Sequence, residues 1–153
     1  KIMLPTIRKA TTGDISQIVD FQMNMALETE KLELNRDILT AGVTNVLTGD
    51  RGASYYMAEI EGTLAGMLMI TLEWSDWRNG WVWWIQSVYT RPEFRGKGLY
   101  KMLYSHIVNL AEKSEEVSGI RLYVDKTNTS AQKVYKTLGM NGDHYLVYEW
   151  MKG

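Results

Sequence analysis

The sequence predicts a mixed α/β fold, a central and largely antiparallel sheet flanked by helices on both faces, in the order β-α-α-β-β-β-α-β-α-β. Three observations carry this. Ser54 to Ile60 and Thr63 to Trp74 are strand-like runs separated only by Glu61-Gly62, the spacing of a tight antiparallel hairpin. Trp81 to Thr90, rich in aromatic and β-branched residues, adds a third strand to the meander after a turn over Ser75 to Gly80. The period then changes from two to 3.6: Leu99, Met102, Leu103, Ile107, Leu110 and Ala111 share one stripe of a long amphipathic helix.

The remaining elements follow from caps and periodicity. Leu4 to Lys9 reads as a short strand. Thr12 and Asp14 then offer N-cap oxygens to a helix with Ile15, Ile18, Val19, Met25 and Ala26 on one stripe. Asn35 can cap a second helix, in which Leu39, Val43, Val46 and Leu47 are apolar and which Gly49-Asp50 ends. Ile120 to Asp125 is strand-like, and Ala131, Val134, Tyr135 and Leu138 mark a shorter helix that Gly139 can close in left-handed conformation. Tyr145 to Trp150 is expected to be the final strand.

With 153 residues the chain fits one domain over 1–153, since a core of this size buries roughly 70% of the unfolded surface. Lys and Arg total 17 against 18 Asp and Glu, so the overall charge gives no reason to expect nucleic acid or an anionic membrane as partner. Cysteine is absent, which removes disulfides, thiolate metal ligands and a cysteine nucleophile; only His106 and His144 remain as soft ligands, and no metal is expected. Lys1 to Pro5 lacks the build of a signal peptide and no apolar run approaches the ~20 residues of a membrane span, so a cytoplasmic protein is expected.

The chemistry concentrates where the strand ending in Val88, Tyr89 and Thr90 runs through Arg95-Gly96-Lys97-Gly98 into the helix that begins Leu99-Tyr100-Lys101. Glycines at 96 and 98 permit positive φ and close backbone approach, so amides at the helix start can converge on a phosphate beside Arg95, Lys97 and Lys101. Taken alone, the segment serves equally well as an ordinary strand-to-helix turn. It has neither the spacing of a P-loop nor the full G-x-G-x-x-G fingerprint.

A second cluster, Asn128-Thr129-Ser130-Ala131-Gln132-Lys133-Val134-Tyr135-Lys136-Thr137-Leu138-Gly139-Met140, makes the pattern specific. Together with the glycine turn it resembles the signature segments of the GCN5-related N-acetyltransferase (GNAT) superfamily, and the element order resembles that family along nearly the whole chain. The resemblance implies an acyl-CoA N-acyltransferase fold, acetyl-CoA as acetyl donor and an amine as acceptor. It implies that Val88, Tyr89 and Thr90 hold pantetheine, that Arg95 to Lys101 hold the pyrophosphate, and that Asn128 meets the far side of the coenzyme. Tyr135 takes the place of the general acid; a phenol, with a pKa near ~10, keeps a proton to give a departing thiolate at neutral pH. On helical spacing alone Tyr135 reads better as a core aromatic with a satisfied hydroxyl, and it is the Asn-to-Gly pattern around it that reverses the reading.

Two departures stand out. Many relatives carry Glu where this chain has Gln86, whose amide cannot accept a proton, and Tyr100 stands where Gly or Ala is usual. An alkylamine of pKa ~10.4 is neutral in only about one molecule in 10³ at pH 7, so deprotonation amounts to roughly 4 to 5 kcal/mol. Glu28, Glu30, Glu73 and Asp76 are the candidates for amine binding or proton acceptance, each with the competing reading of a solvated surface charge. Trp74, Trp77, Trp81, Trp83 and Trp84 crowd one hairpin and suit packing or a homodimer interface better than a cationic acceptor. Met23 and Met25 read as core filler, and His106 and His144 as structural. The layout loosely resembles the diamine acetyltransferase branch. The rival from another class is an acyl-CoA-binding sensor without efficient turnover, for which Gln86 and Tyr100 speak. An assembly protein using the Trp surface is a third.

Overall fold

The computed structural model describes residues 4–153; residues 1–3, part of the segment read above for a leader, lie outside the described residues. The chain resolves into two compact units, one ending at Leu122 and the other spanning Tyr123–Gly153.

The first unit contains β1 (Thr6–Lys9), α1 (Ile15–Glu30), α2 (Arg36–Thr48), β2 (Ala53–Ile60), β3 (Thr63–Ser75), β4 (Gly80–Thr90), α3 (Leu99–Lys113) and β5 (Val117–Leu122). Its five strands lie in the order β1-β2-β3-β4-β5. The first three pairings are antiparallel, and β4 with β5 is parallel because α3 carries the chain back between them. Local chemistry accounts for the connections. Asn35 caps α2 by accepting from the Ile38 amide at 3.0 Å. Glu61 and Gly62, with φ of 51° and 79°, supply the two left-handed residues of the β2–β3 turn.

Helices cover both faces of the sheet. Ile18, Val19 and Phe21 of α1 and Val43 of α2 form one core cluster with Tyr55, Met57, Met67 and Tyr89. The opposite pleat faces α3: Tyr56 meets His106 with ring centroids 5.9 Å apart, and Gly66 lies under Leu99. Met23 and Met25 pack against the first cluster, as core filler should.

Three expected boundaries are corrected. β1 begins at Thr6 rather than Leu4. β5 runs Val117–Leu122 instead of Ile120 to Asp125: Gly80, lacking a side chain, lets Ser118 and the Glu116 carbonyl approach, and the Trp81 amide already donates to Glu116 at 2.8 Å. At the other end, Asp125 Oδ1 accepts from the Thr127 amide at 2.8 Å and its hydroxyl at 2.6 Å, an Asx turn that draws the backbone away from strand pairing.

The strand expected over Tyr145 to Trp150 is not formed; those residues take no regular structure and are exposed. Within its own unit the single regular element is α4 (Thr129–Thr137), so the aromatic and β-branched run has no ladder to join there. The observed order is therefore β-α-α-β-β-β-α-β-α, with the fold class unchanged.

Candidate functional site

The site begins with a fault in β4. Met69 pairs with Ser87 but Ile70 pairs with Ile85, so Gln86 is the extra residue of a β-bulge. Before the bulge, Val82 and Trp84 lie opposite Glu73 and Thr71; beyond it, Ser87 and Tyr89 lie opposite Met69 and Met67. One inserted residue thus exchanges which parity of β4 faces α1. The parallel ladder ends at the same place, with Ile85 opposite Leu122. From Gln86 to Thr90 the edge of β4 turned away from β3 has no strand partner among the described residues.

That edge leads directly into the glycine turn. The Arg91 amide donates to Ala65 at 2.8 Å and anchors the exit from β4, and Pro92–Phe94 forms one short 3-10 turn. Gly96 and Gly98 adopt φ of 75° and 80°, and a Cβ at either would meet no atom within 4 Å. Both glycines therefore bound open space, and both sit in the conformation that other residues adopt at a cost. Gly98 is the N-cap of α3 and its carbonyl accepts from Met102, so the first turn of α3, whose amides by helix geometry look outside the helix for acceptors, begins at the glycine turn. An anionic diphosphate fits such a turn, with amides, a helix dipole and the cations Arg95, Lys97 and Lys101 beside it. A groove of about 510 Å³ runs from Gly98 along α3, past Lys101, Met102, His106 and Asn109, to Ile7.

The side chains at this end divide between scaffold and surface. Tyr89 and Leu99 are buried, so what they present outward is backbone. The Tyr100 ring lies against Tyr104, centroids 6.2 Å apart. Arg95 donates through Nε to the Thr90 carbonyl at 2.8 Å and through Nη2 to Glu28 Oε2 at 2.7 Å, with its guanidinium 5.5 Å from the Tyr89 ring. Arg91 lies 5.8 Å from the Phe21 ring in the same way. The last turns of α1 are thus tied to the glycine turn, a link that no local signal in the sequence announces.

Of the carboxylates singled out, Glu28 is held by Arg95, and Glu73 accepts from Trp84 Nε1 at 2.6 Å and from Arg121 at 3.1 Å. Glu30 and Asp76 are exposed. Gln86 donates from Nε2 to the Thr71 hydroxyl at 2.9 Å, beside that Trp84–Glu73–Arg121 cluster on the sheet face. Trp74 and Trp81 pack edge to face at 5.0 Å, whereas Trp77 in the turn is 92% exposed. Among the described residues no group of three or more His, Cys, Asp or Glu could hold a metal ion, and no helix is long and apolar enough to cross a membrane.

In the second unit, Asn128 Oδ1 accepts from the Ala131 amide at 3.0 Å and so caps α4. Gly139, at φ 86°, closes the helix: its amide donates to Lys136, and the Met140 amide to the carbonyl of Tyr135, each at 3.0 Å. This double bond pattern is a Schellman motif. Tyr135, partly buried, stands in the last turns of this short capped helix.

A five-stranded mixed sheet, a bulge that ends a parallel ladder, and an open double-glycine turn entering a helix are the architecture of an acetyltransferase fold. The chain belongs to the Acetyltransferase (GNAT) family, which matches residues 15–140. A possible acetyltransferase from Clostridium difficile 630 is 41% identical over 97% of this chain and 98% of its own, with a TM-score of 0.91. A predicted acetyltransferase from Clostridium acetobutylicum, solved with acetyl-CoA, is 25% identical over 95% of this chain and 96% of its own, TM-score 0.75. An aminoglycoside N-acetyltransferase in complex with CoA shares the fold at 15% identity, covering 100% of this chain and 98% of its own, TM-score 0.79. No curated protein matches the chain significantly.

Proposed function

We propose that residues 1–153 form one N-acetyltransferase domain that passes the acetyl group of acetyl-CoA to an amine of a small molecule or peptide by direct attack. The observation that carries this is the glycine turn: open space over Gly96 and Gly98, both at positive φ, following a β4 edge that has no strand partner from Gln86 to Thr90 among the described residues, in a segment rich in basic residues. The match to the family across both signature segments supports the same reading.

In this reading the amides from Gly96 to Lys101, with Arg95 and Lys97, hold the diphosphate. The edge at Val88, Tyr89 and Thr90 pairs with pantetheine as an added strand would, and Asn128 meets the coenzyme's far side. Acetyl-CoA, when bound, supplies an activated thioester. Tyr135 Oη gives its proton to the departing sulfur, so that the thiol leaves neutral. With Glu28 and Glu73 engaged in ion pairs and Gln86 an amide, the acceptor ammonium loses its proton to Glu30 or Asp76 or, through desolvation, to water.

A thiol-release assay across a panel of primary amines, run alongside coenzyme A titration, tests the proposal. Turnover with at least one amine, abolished in Gly98→Val together with coenzyme binding, is the expected result. The amide at Gln86 and the two engaged carboxylates favour one other reading, a coenzyme sensor; binding of coenzyme without turnover of any amine would replace the enzyme by that sensor.

A further inference from the structure

Arg95 is the cation of the glycine turn with the most definite partners, and one of them is a rival anion. Its Nη2 holds Glu28 at 2.7 Å across a separation of 67 residues, with the two side chains 45% and 41% exposed. Glu28 lies in the final turns of α1, two residues before Glu30, where the carbonyl end of the helix adds its own negative potential. A guanidinium is drawn to such a place. The same guanidinium is bonded to the Thr90 carbonyl, and Gly96 follows Arg95 directly in the chain, so Arg95 joins the end of α1 to the start of the glycine turn.

We propose that Glu28 competes with the coenzyme diphosphate for Arg95, so that the chain carries a built-in brake on coenzyme affinity at the end of α1. This rests on the coenzyme reading of the turn given above. An exposed ion pair is weak, because water and salt screen it and two long side chains must be ordered. A diphosphate brings more charge, several acceptor oxygens and simultaneous bonds to backbone amides, and bidentate geometry favours it at Arg. Coenzyme therefore takes Arg95 away from Glu28, and the affinity measured is lowered by what that exchange costs. No covalent step is involved. Removal of the coenzyme restores the pair.

Calorimetric titration of coenzyme A into the full chain and into Glu28→Gln, Glu30→Gln and Arg95→Gln variants tests the brake. Glu28→Gln should bind coenzyme A about two- to fivefold more tightly at low salt, the fold-change of one exposed ion pair, with the gain shrinking as salt is added. Glu30→Gln removes the same charge from the same helix end and should gain clearly less, which separates competition from a general change of field. In the Arg95→Gln background, Glu28→Gln should have no effect. Weaker or unchanged binding by Glu28→Gln, or an equal gain in Glu30→Gln, overturns the brake and leaves the coenzyme site standing. Absence of coenzyme binding by the unaltered chain overturns both.

Discussion

Asp14 shows what one residue contributes to positioning the sheet against α1. Its carboxylate, almost buried, accepts from Arg8 at 2.7 and 2.9 Å and from the Thr11 amide at 2.8 Å, and Arg8 also reaches Glu59. The Arg8 hydrogen bonds, opposed by burial and helped by Thr11, hold the Asp14 carboxyl below its usual range. A depressed folded-state pKa contributes stability that is complete above the unfolded value, ~3.9, and is lost as pH falls through the folded one. Asp14→Asn should therefore cost about 1–3 kcal/mol at pH 7. In urea melts the gap to the unaltered chain should close below pH ~4; a gap constant down to pH 2 would show that charge on Asp14 is immaterial. Tyr135 is tested differently: Tyr135→Phe should lower kcat about 10²-fold with coenzyme affinity nearly intact, and unchanged kcat would remove the phenol from the acid role.

At the scale of elements, Gly66 decides how closely α3 approaches the sheet. A Cβ there would lie 2.6 Å from the Tyr89 carbonyl oxygen and 3.1 Å from Leu99, so β4 or the first turn of α3 would have to move. Gly66→Ala gains about 0.4–1 kcal/mol through the unfolded chain but loses about 1–3 to overpacking, and the net is destabilising. Because the displaced atoms border the glycine turn, coenzyme binding should weaken as well; a variant with higher stability and full affinity would show that α3 is free to shift. The elements legible in the sequence are those with local causes: the Asn35 cap, the Glu61-Gly62 turn and the Gly139 closure. The glycine turn of the candidate site belongs with them. What the sequence does not show depends on a distant partner: the bulge at Gln86, the register of β5 beside Gly80, and Arg95 held by Glu28. Tyr145 to Trp150 has the composition of a strand, but composition specifies a preference and a ladder requires a neighbour.

At the scale of the whole molecule, the family match over residues 15–140 spans the boundary at Leu122, with the glycine turn before it and Tyr135 after it. A ligand that binds only the native chain stabilises all that must be folded to bind it, whatever the local stability of each part. At a hundred times its dissociation constant, coenzyme A should add about 2.7 kcal/mol, which for a chain of this length raises Tm by about 5–10 °C. Tyr135→Phe should keep that shift, since a proton donor to the departing sulfur contributes nothing to holding the diphosphate. Gly98→Val should abolish it: valine at φ 80° is strained by about 1–2 kcal/mol, and its side chain fills the space over the turn. Differential scanning calorimetry of the three proteins with and without coenzyme A decides the matter. An equal shift in Gly98→Val would mean that the coenzyme is held elsewhere on the chain, and no shift in the unaltered protein would mean that the open glycine turn does not hold the coenzyme at all.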